Sequence, residues 1–420
     1  MNSNYVLIGN GRLPLEILVQ LFEHYLDEES PFHPVEALLL VCKDWNRAAA
    51  YHSPIWGTYR ITLGDERTTR LWLHRIPLRL RRSGSKQPLH IDIRYADNEI
   101  SRQKFMSPLD SFQLDAQENI PRLLNILAGR NGVHCARWGS LRLTVESLPT
   151  IFVGKSSMNP MKSDLKPLMY QMPALTSLHL RLSTGLAVTL FPTLPSVHSI
   201  ILDHCYMFNY PDISSVKELH VLGGSFVNVS KRNSSFDSPK VEYLRLGSWM
   251  TALTQPCKYP SLSTLCIDGH WWITGIEKAY MPRLKGLHIR FGSLEVLFGA
   301  LSLPNLDQIQ DLHLVGYFFG KFPPTDVQSA VSRLLSACTD LRTFCINHEV
   351  LSLLLLGWTT WQNLFEEYSS VQVFLISSPD LMVAERRGPD ERLLLVGDYE
   401  AISSLKRFYG PAPCDSFMLI

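Results

Sequence analysis

From about residue 136 onward a short apolar motif recurs, and it restricts the possible fold more than any other feature of this chain. It reads RWGSLRL, MPALTSLHL, LPSVHSIIL, ISSVKELHV, SPKVEYLRL, YPSLSTLCI, MPRLKGLHI, IQDLHL, TDLRTFCI and YSSVQVFLI. Counted from the first apolar residue of each copy, Leu175, Val197, Val216, Val241, Leu262, Leu284 and Ile309 follow at intervals of 22, 19, 25, 21, 22 and 25 residues. Such a period marks a stack of small units, none of which buries its apolar face alone. Within each copy the paired apolar residues flank a single residue, so in an extended segment the pair points one way and the residue between them the other. The expectation is one short strand per copy, parallel to its neighbours.

Period and L-x-x-L-x-L pattern together resemble leucine-rich repeats. The consensus asparagine is missing from these units, so the array is similar to a degenerate, irregular solenoid. Wider gaps, from Trp138 to Leu175 and beyond Ile309, are expected to hold longer loops or extra helices, with KSSMNPMKSDLKP the clearest loop. A strand over 392–397 and a helix over 401–408 are expected to close the open end.

The N-terminal segment has a different period. Placed at about 100° per residue, Leu15 to Asp27 gathers Glu16, Gln20, Glu23, His24 and Asp27 into one arc of about 100°, and the rest of the helix is apolar. Pro14 is placed in its first turn, where a missing N–H costs nothing. DEESPFHP breaks the helix, two more follow over 35–41 and 43–52, and SPIW ends the unit. Three short helices cannot bury so wide an apolar arc. Leu15, Ile17, Leu18, Leu21, Phe22, Tyr25 and Leu26, with Leu38, Leu39, Leu40, Val41, Trp45 and Trp56, therefore supply either a partner surface or an interface with the rest of the chain.

LPLEILVQLFEHYL followed by LLLVCKDWNRAAAYHSPIWGTYRITL resembles an F-box over about residues 12 to 60: the Leu-Pro opening, Glu-Ile-Leu, the Val-Cys-Lys-x-Trp core and the closing Pro-x-Trp. The resemblance implies docking to the Skp-family adaptor of a cullin-RING ubiquitin ligase through an apolar helical surface. By the family pattern Leu13, Pro14, Ile17 and Leu18 contact the adaptor, and Leu40, Val41, Cys42 and Trp45 contribute to that surface or support it. DEESPFHP departs from the pattern as a lengthened connection that leaves the landmarks in place.

Beyond residue 60, TTRLWLHRIPLRLRRSGSKQPLHIDIRY reads as a helix, a turn and a strand of alternating Leu89, Ile91, Ile93 and Tyr95. Its six arginines sit among Leu71, Leu73, Leu78 and Leu80, the pattern of a solvated amphipathic helix. This stretch, with RWGSLRL, is also similar to the segment that follows the F-box in many basidiomycete fungal F-box proteins.

Charge narrows the partners. Lys and Arg number 40 against 39 acids, so no global field holds a polyanion and nucleic-acid binding is not expected. The first residues lack a signal-peptide pattern, and the longest apolar run, VLSLLLLGW, is too short to span a bilayer. Eight cysteines spread over 420 residues are not a disulfide scaffold. The expectation is a cytoplasmic or nuclear protein that is neither secreted nor membrane-bound, with reduced thiols.

No catalytic signature is present: GNG lacks the third glycine and a preceding strand, and neither G-x-S-x-G nor a Walker loop occurs. Cys257, Cys266 and His270 match no common zinc spacing, and no metal or cofactor is expected. The residues between the paired apolar positions are Arg142, His179, Ile201, His220, Arg245, Cys266, His288, His313 and Cys345, four of the nine being histidine. Strands about 4.8 Å apart would set His288 against His313, with Asp268, Arg290 and Asp311 close by. This column reads either as a pH-sensitive or acid-recognising face or as polar residues tolerated on a solvated sheet. Trp249, Trp271 and Trp272 fall past strand ends, as aromatic anchors for a partner or packed beneath a loop.

Taken together, these readings give a multidomain α+β chain. A three-helix F-box (9–60) leads through a linking helix and strand region (61–135) into a leucine-rich-repeat-like α/β solenoid with a C-terminal cap (136–420). The expected function is a substrate-recognition adaptor of an SCF-type ligase that is not itself an enzyme. His179, His220, Arg245, Asp268, His288, Arg290 and His313 would form a concave target-binding face, and the alternative is a non-catalytic scaffold acting outside a ligase.

Overall fold

The structure is a computed structural model. It describes residues 5–8, 11–27, 35–63, 66–95, 110–145, 166–182, 193–203, 205, 213–222, 238–247, 257–269, 272–317, 323–347, 350, 373–377, 382–385 and 394–396. The chain divides into two compact units whose boundary falls within 218–230, the first N-terminal and the second C-terminal to it.

The first unit opens with a feature absent from the sequence reading. Strands β1 (Tyr5–Ile8) and β2 (Gly11–Pro14) pair antiparallel, with Ile8 opposite Gly11 and Tyr5 opposite Pro14. A strand therefore does precede GNG, but it enters a hairpin, not the strand-to-helix turn that cradles a phosphate. Pro14 ends β2, and α1 (Leu15–Asp27) begins one residue later. A 3-10 turn (Val35–Ala37), α2 (Leu38–Val41) and α3 (Lys43–Tyr51) follow. Cys42 separates α2 from α3 because its backbone is extended, with φ −160° and ψ 172°, and its Sγ accepts the Trp45 N–H at 3.5 Å as the N-cap of α3.

Strands β3 (Thr58–Leu63), β4 (Leu89–Tyr95), β5 (Trp138–Val145), β6 (Ser177–Leu182) and β7 (Ser199–Asp203) pair in parallel in chain order. The sheet of this unit thus starts at Thr58, well before the first recognisable repeat. Helix α4 (Glu66–Arg82) connects β3 to β4 and α5 (Asp110–Ala128) connects β4 to β5, the crossover that parallel strands require. Register runs Ile61, Ile93, Leu143, Leu180, Leu202 across the sheet, and each of these side chains is at most 2% exposed. Helix α4 packs on β3 and turns Thr69, Trp72, Ile76 and Arg79, all buried and spaced as one helical stripe, inward; Ser83, just past its end, is buried as well.

Arg79 on that stripe corrects the solvated-helix reading. Its guanidinium meets Glu36 through Nε at 2.7 Å and Nη2 at 2.5 Å, donates to the Thr58 carbonyl at 3.2 Å, and lies 4.8 Å from the centre of the Trp72 ring. Arg70, Arg81 and Arg82 remain exposed, and Arg82 stacks over Trp56 at 4.5 Å. One arginine thereby ties the N-terminal helices to the first strand and its covering helix.

The second unit continues the one-strand-per-copy pattern. Strands β9 (Tyr243–Gly247), β10 (Thr264–Gly269), β11 (Gly286–Phe291), β12 (Asp311–Gly316), β13 (Thr343–Asn347) and β14 (Val373–Ser377) are parallel in chain order. Then β15 (Met382–Glu385) and β16 (Leu394–Val396) turn antiparallel, which places a strand in the expected closing segment. The helix expected over 401–408 and the loop expected over 155–167 lie outside the described residues, apart from a short 3-10 turn at Lys166–Met169. Strand β8 (Glu218–Leu222) sits at the division between the units.

All ten motif copies are strands. A backbone ladder couples successive copies: Ser263 N–H donates to Glu242 O, Lys285 to Ser263, Gln310 to Lys285 and Arg342 to Gln310, at 2.7 to 2.9 Å. The gap beyond Ile309 holds α7 (Pro324–Ala337), as its width implied, while α6 (Leu294–Ala300), in the gap after Ile289, was not anticipated. One consensus position is occupied after all. Cys205 follows Leu202 by three residues, is 5% exposed, and its thiol donates to Leu180 O of the preceding copy at 3.3 Å. A cysteine at that place does for the backbone what the consensus asparagine does.

Trp272 settles one open choice. It is 8% exposed and packs on α6, where a Cβ added to Gly299 would stand 2.2 Å from its ring. It is core, not an anchor for a partner; Trp249 and Trp271 lie outside the described residues. Gly299→Ala is expected to lower stability by about 1–3 kcal/mol through overpacking, although alanine favours a helix. A shift in the urea midpoint checks this.

Candidate functional site

The N-terminal helices bury a compact core of Leu18, Phe22, Val35, Leu38, Ala48, Ala49, Ile55 and Trp56, with Leu15, Leu39 and Trp45 packed against it. Phe22 and Trp45 meet edge to face at 5.1 Å, and Trp56 Nε1 donates to Ala49 O at 2.7 Å. This core is filled. It still leaves Ile17 41%, Leu21 44%, Leu40 85% and Val41 57% exposed. Ile17 and Leu21 are four residues apart and form one stripe of α1, while Leu40 and Val41 end α2 just before Cys42 reverses the chain.

Of the predicted adaptor contacts, Ile17, Leu40, Val41 and Cys42 are therefore exposed, and Pro14 and Trp45 are half-buried. Leu18 is the correction: at 0% exposed it belongs to the core and supports the face from beneath. The side chain of Leu13 lies outside the described residues, and Leu21 joins the exposed set. Full burial of an aliphatic side chain from a fully exposed state is worth about 1.5–3 kcal/mol, so Leu40 and Val41 retain most, and Ile17 and Leu21 less than half, of such a driving force for association.

The sheet of the second unit brings together most of the predicted target-face residues. Arg245, Cys266, His288, His313 and Cys345 are register partners in one row on the side opposite the apolar core. Two residues on, Asp268 faces Arg290. Asp268 accepts Arg245 Nη2 at 2.5 Å and lies 3.4 Å from Arg290 Nη1, while Arg290 Nε donates to Tyr317 at 2.5 Å. His288 and His313 stand ring to ring at 5.4 Å and 75°. Tyr317 was not legible as a member of this network because it lies past the end of β12.

Burial pushes the His288 imidazole down to about 3, with His313 and Arg245 adding to the effect. Burial and Arg290 bring His313 down to about 4. Both rings are neutral through the range in which histidine switches operate, so the pH-sensitive reading of this pair is set aside. The Cys266 thiol beside His288 is protonated as well: burial pushes it up to about 11. The row is mostly buried, with Arg245 6%, Cys266 3%, His288 8% and Cys345 9% exposed, which corrects the expectation that Arg245 and His288 form an open target-binding face; at neutral pH it holds a pair of uncharged imidazoles next to an Arg-Asp-Arg cluster of net charge +1.

His220 lies on β8 and stacks on Tyr243 at 5.2 Å. His179 lies in the first unit, away from this cluster in sequence and in unit, and is half-buried on β6. Its neighbours there form a second polar face. Arg60, Asp92, Arg142 and His179 are register partners, and the next row holds Thr62, Arg94, Thr144, Arg181 and Asp203. Arg60, Asp92 and Arg94 were missed because β3 and β4 precede the recognised motif, and Arg181 and Asp203 because in their copies only the residue between the paired apolar positions was read. The residue after the second apolar position points the same way.

A polar cleft of about 740 Å³ in the second unit lies among Glu242, Ser263, Lys285, Gln310 and Asp340, and none of the predicted site residues lines it. Among the described residues no group of three or more His, Cys, Asp or Glu is placed to hold a metal, and no helix is long and apolar enough to cross a membrane. Cys257 and Cys266 are buried free thiols, and His270 lies outside the described residues. Comparison with protein-family models and with curated proteins finds no match to this chain.

Proposed function

We propose that this chain is the substrate-recognition adaptor of an SCF-type cullin-RING ubiquitin ligase. Its N-terminal helices act as an F-box that docks to a Skp-family adaptor, and its repeat sheets bind a protein target. The observation that carries the reading is the exposure of Leu40, Val41, Ile17 and Leu21 around an already filled helical core, at positions that the F-box resemblance assigns to, or places beside, the adaptor contact. Function is then proximity. The chain holds a target near a charged ubiquitin-conjugating enzyme and raises its effective concentration, while other subunits perform the transfer.

Pull-down of the full chain tests this. Wild type is expected to capture the Skp-family adaptor and, through it, the cullin. Leu40→Ala/Val41→Ala removes two exposed side chains and is expected to change stability by no more than about 0.5 kcal/mol while abolishing capture. Equal capture by the folded variant would place the adaptor contact elsewhere. Loss of target turnover when the cullin is inactivated would separate a ligase subunit from a scaffold that acts outside one.

A further inference from the structure

We propose that the outward face of α4 docks an acidic amphipathic helix of a partner protein. The inference stands apart from the F-box reading and concerns a different surface.

Helix α4 carries two seams of heptad spacing on opposite sides. Thr69, Trp72, Ile76 and Arg79, at intervals of three, four and three, turn inward and are buried. Arg67, Leu71, His74, Leu78 and Arg81, at intervals of four, three, four and three, turn outward, and all five are exposed. At about 100° per residue these five fall within one arc of about 80°, diametrically opposite Ile76. Strand β3, the 3-10 turn Ser53–Gly57 and α5 all pack against α4 and leave this arc open. Leu71 and Leu78 are 43% and 52% exposed. Seven residues separate them, about 10.5 Å along the axis, so they recur on one line as the leucines of a helix–helix seam do.

Charge selects the occupant. From Arg67 to Arg82 the helix holds six arginines and no Asp or Glu. Glu36 meets Arg79 on the buried side, and Arg82 lies over Trp56. Arg67 and Arg81 bound the two leucines at the ends of the outward seam. A partner helix that sets its own leucines against Leu71 and Leu78, with Glu or Asp at the flanking positions, matches apolar to apolar and carboxylate to guanidinium. A basic helix would set like charges together and be rejected. The apolar line is narrow, with His74 between the two leucines. That is the width of a helix–helix contact, whereas a helix lying in a bilayer interface presents a broad apolar face.

The test is fluorescence anisotropy of the full chain with a labelled peptide of about three heptads, Leu at its seam positions and Glu beside them, whose like charges disfavour self-pairing. The control carries Lys in place of Glu. Wild type is expected to bind the acidic peptide saturably and at least about tenfold more tightly than the basic one. Leu71→Gln/Leu78→Gln, which keeps helix propensity, is expected to weaken that binding by at least about tenfold at an unchanged urea midpoint. Arg67→Glu/Arg81→Glu is expected to turn the preference towards the basic peptide, a result that lost packing alone would not give. No saturable binding by wild type, equal binding of the two peptides, an unreversed preference, or a loss below about tenfold in the glutamine variant would each overturn the proposal. Binding to phosphatidylserine–phosphatidylcholine vesicles that the glutamine variant loses would overturn it too, by assigning the face to a membrane. Leu40→Ala/Val41→Ala is expected to leave peptide binding intact, so failure of the F-box reading and failure of this proposal are told apart.

Discussion

Glu36→Ala is expected to destabilise the first unit by about 3–5 kcal/mol, because it leaves the Arg79 guanidinium buried without its counter-charge. The Arg79 side chain is only 5% exposed, and no nearby rearrangement returns it to water without unpacking α4 from the sheet. The Thr58 carbonyl and the Trp72 ring remain as partners, but neither carries a full negative charge. Replacing both partners, as Glu36→Leu/Arg79→Met, is expected to recover most of the loss, since apolar groups of similar volume avoid the desolvation of two ions. Chemical denaturation of the three variants checks the ordering. The pair also makes an acid-dependent contribution. Burial alone would raise the Glu36 carboxyl, but the Arg79 hydrogen bonds and charge outweigh it and hold it below the usual range. Its stabilisation is thus present above the ordinary glutamate value and is lost as pH falls through the lowered one.

The second unit is expected to lose stability as pH drops from about 6.5 towards 4, before most carboxylates titrate. His288 and His313 have folded-state values of about 3 and about 4, below the unfolded value, so the unfolded chain takes up protons first. Their contribution is complete above about pH 6.5 and falls, at the steepest, by about 1.4 kcal/mol per pH unit for each ring. Arg245 and Arg290 face the pair and oppose its protonation, while Asp268 is already engaged with both arginines. His288→Gln/His313→Gln is expected to flatten stability over this window. Denaturant midpoints at a series of pH values measure the slope, and an unchanged slope in the double variant would mean that other groups set it.

Legibility followed the range of the interactions involved. The motif fixed strand, face and register together, so His288 could be set opposite His313 before any coordinates, and it lies there. The motif did not reach β3 or β4, because helices α4 and α5 stretch their spacing far beyond the short period; β4 was legible only from the alternation of Leu89, Ile91, Ile93 and Tyr95, and β3 was missed. Helical periodicity showed that α1 is apolar around most of its circumference. It could not separate Leu18 from Ile17, since the choice of inward side depends on where α3 and the Trp56 turn pack. Arg79 failed for the same reason at longer range. A run of arginines among leucines looks solvated until Glu36, 43 residues away, is brought to one of them. Cys205 was readable in principle, had the consensus position been allowed its cysteine alternative.

The residues that carry the F-box resemblance, by contrast, were local: Leu-Pro, Val-Cys-Lys-x-Trp and Pro-x-Trp place side chains whose exposure then follows from short helices and one extended cysteine. Their meaning is a binding statement, and binding is what decides it. The most direct measurement is isothermal titration calorimetry of the purified full chain with a purified Skp-family adaptor at two temperatures. The account predicts a saturable 1:1 complex with a negative heat-capacity change from burial of Ile17, Leu21, Leu40 and Val41, abolished in Leu40→Ala/Val41→Ala. An absence of saturable binding by the folded wild-type chain would contradict it.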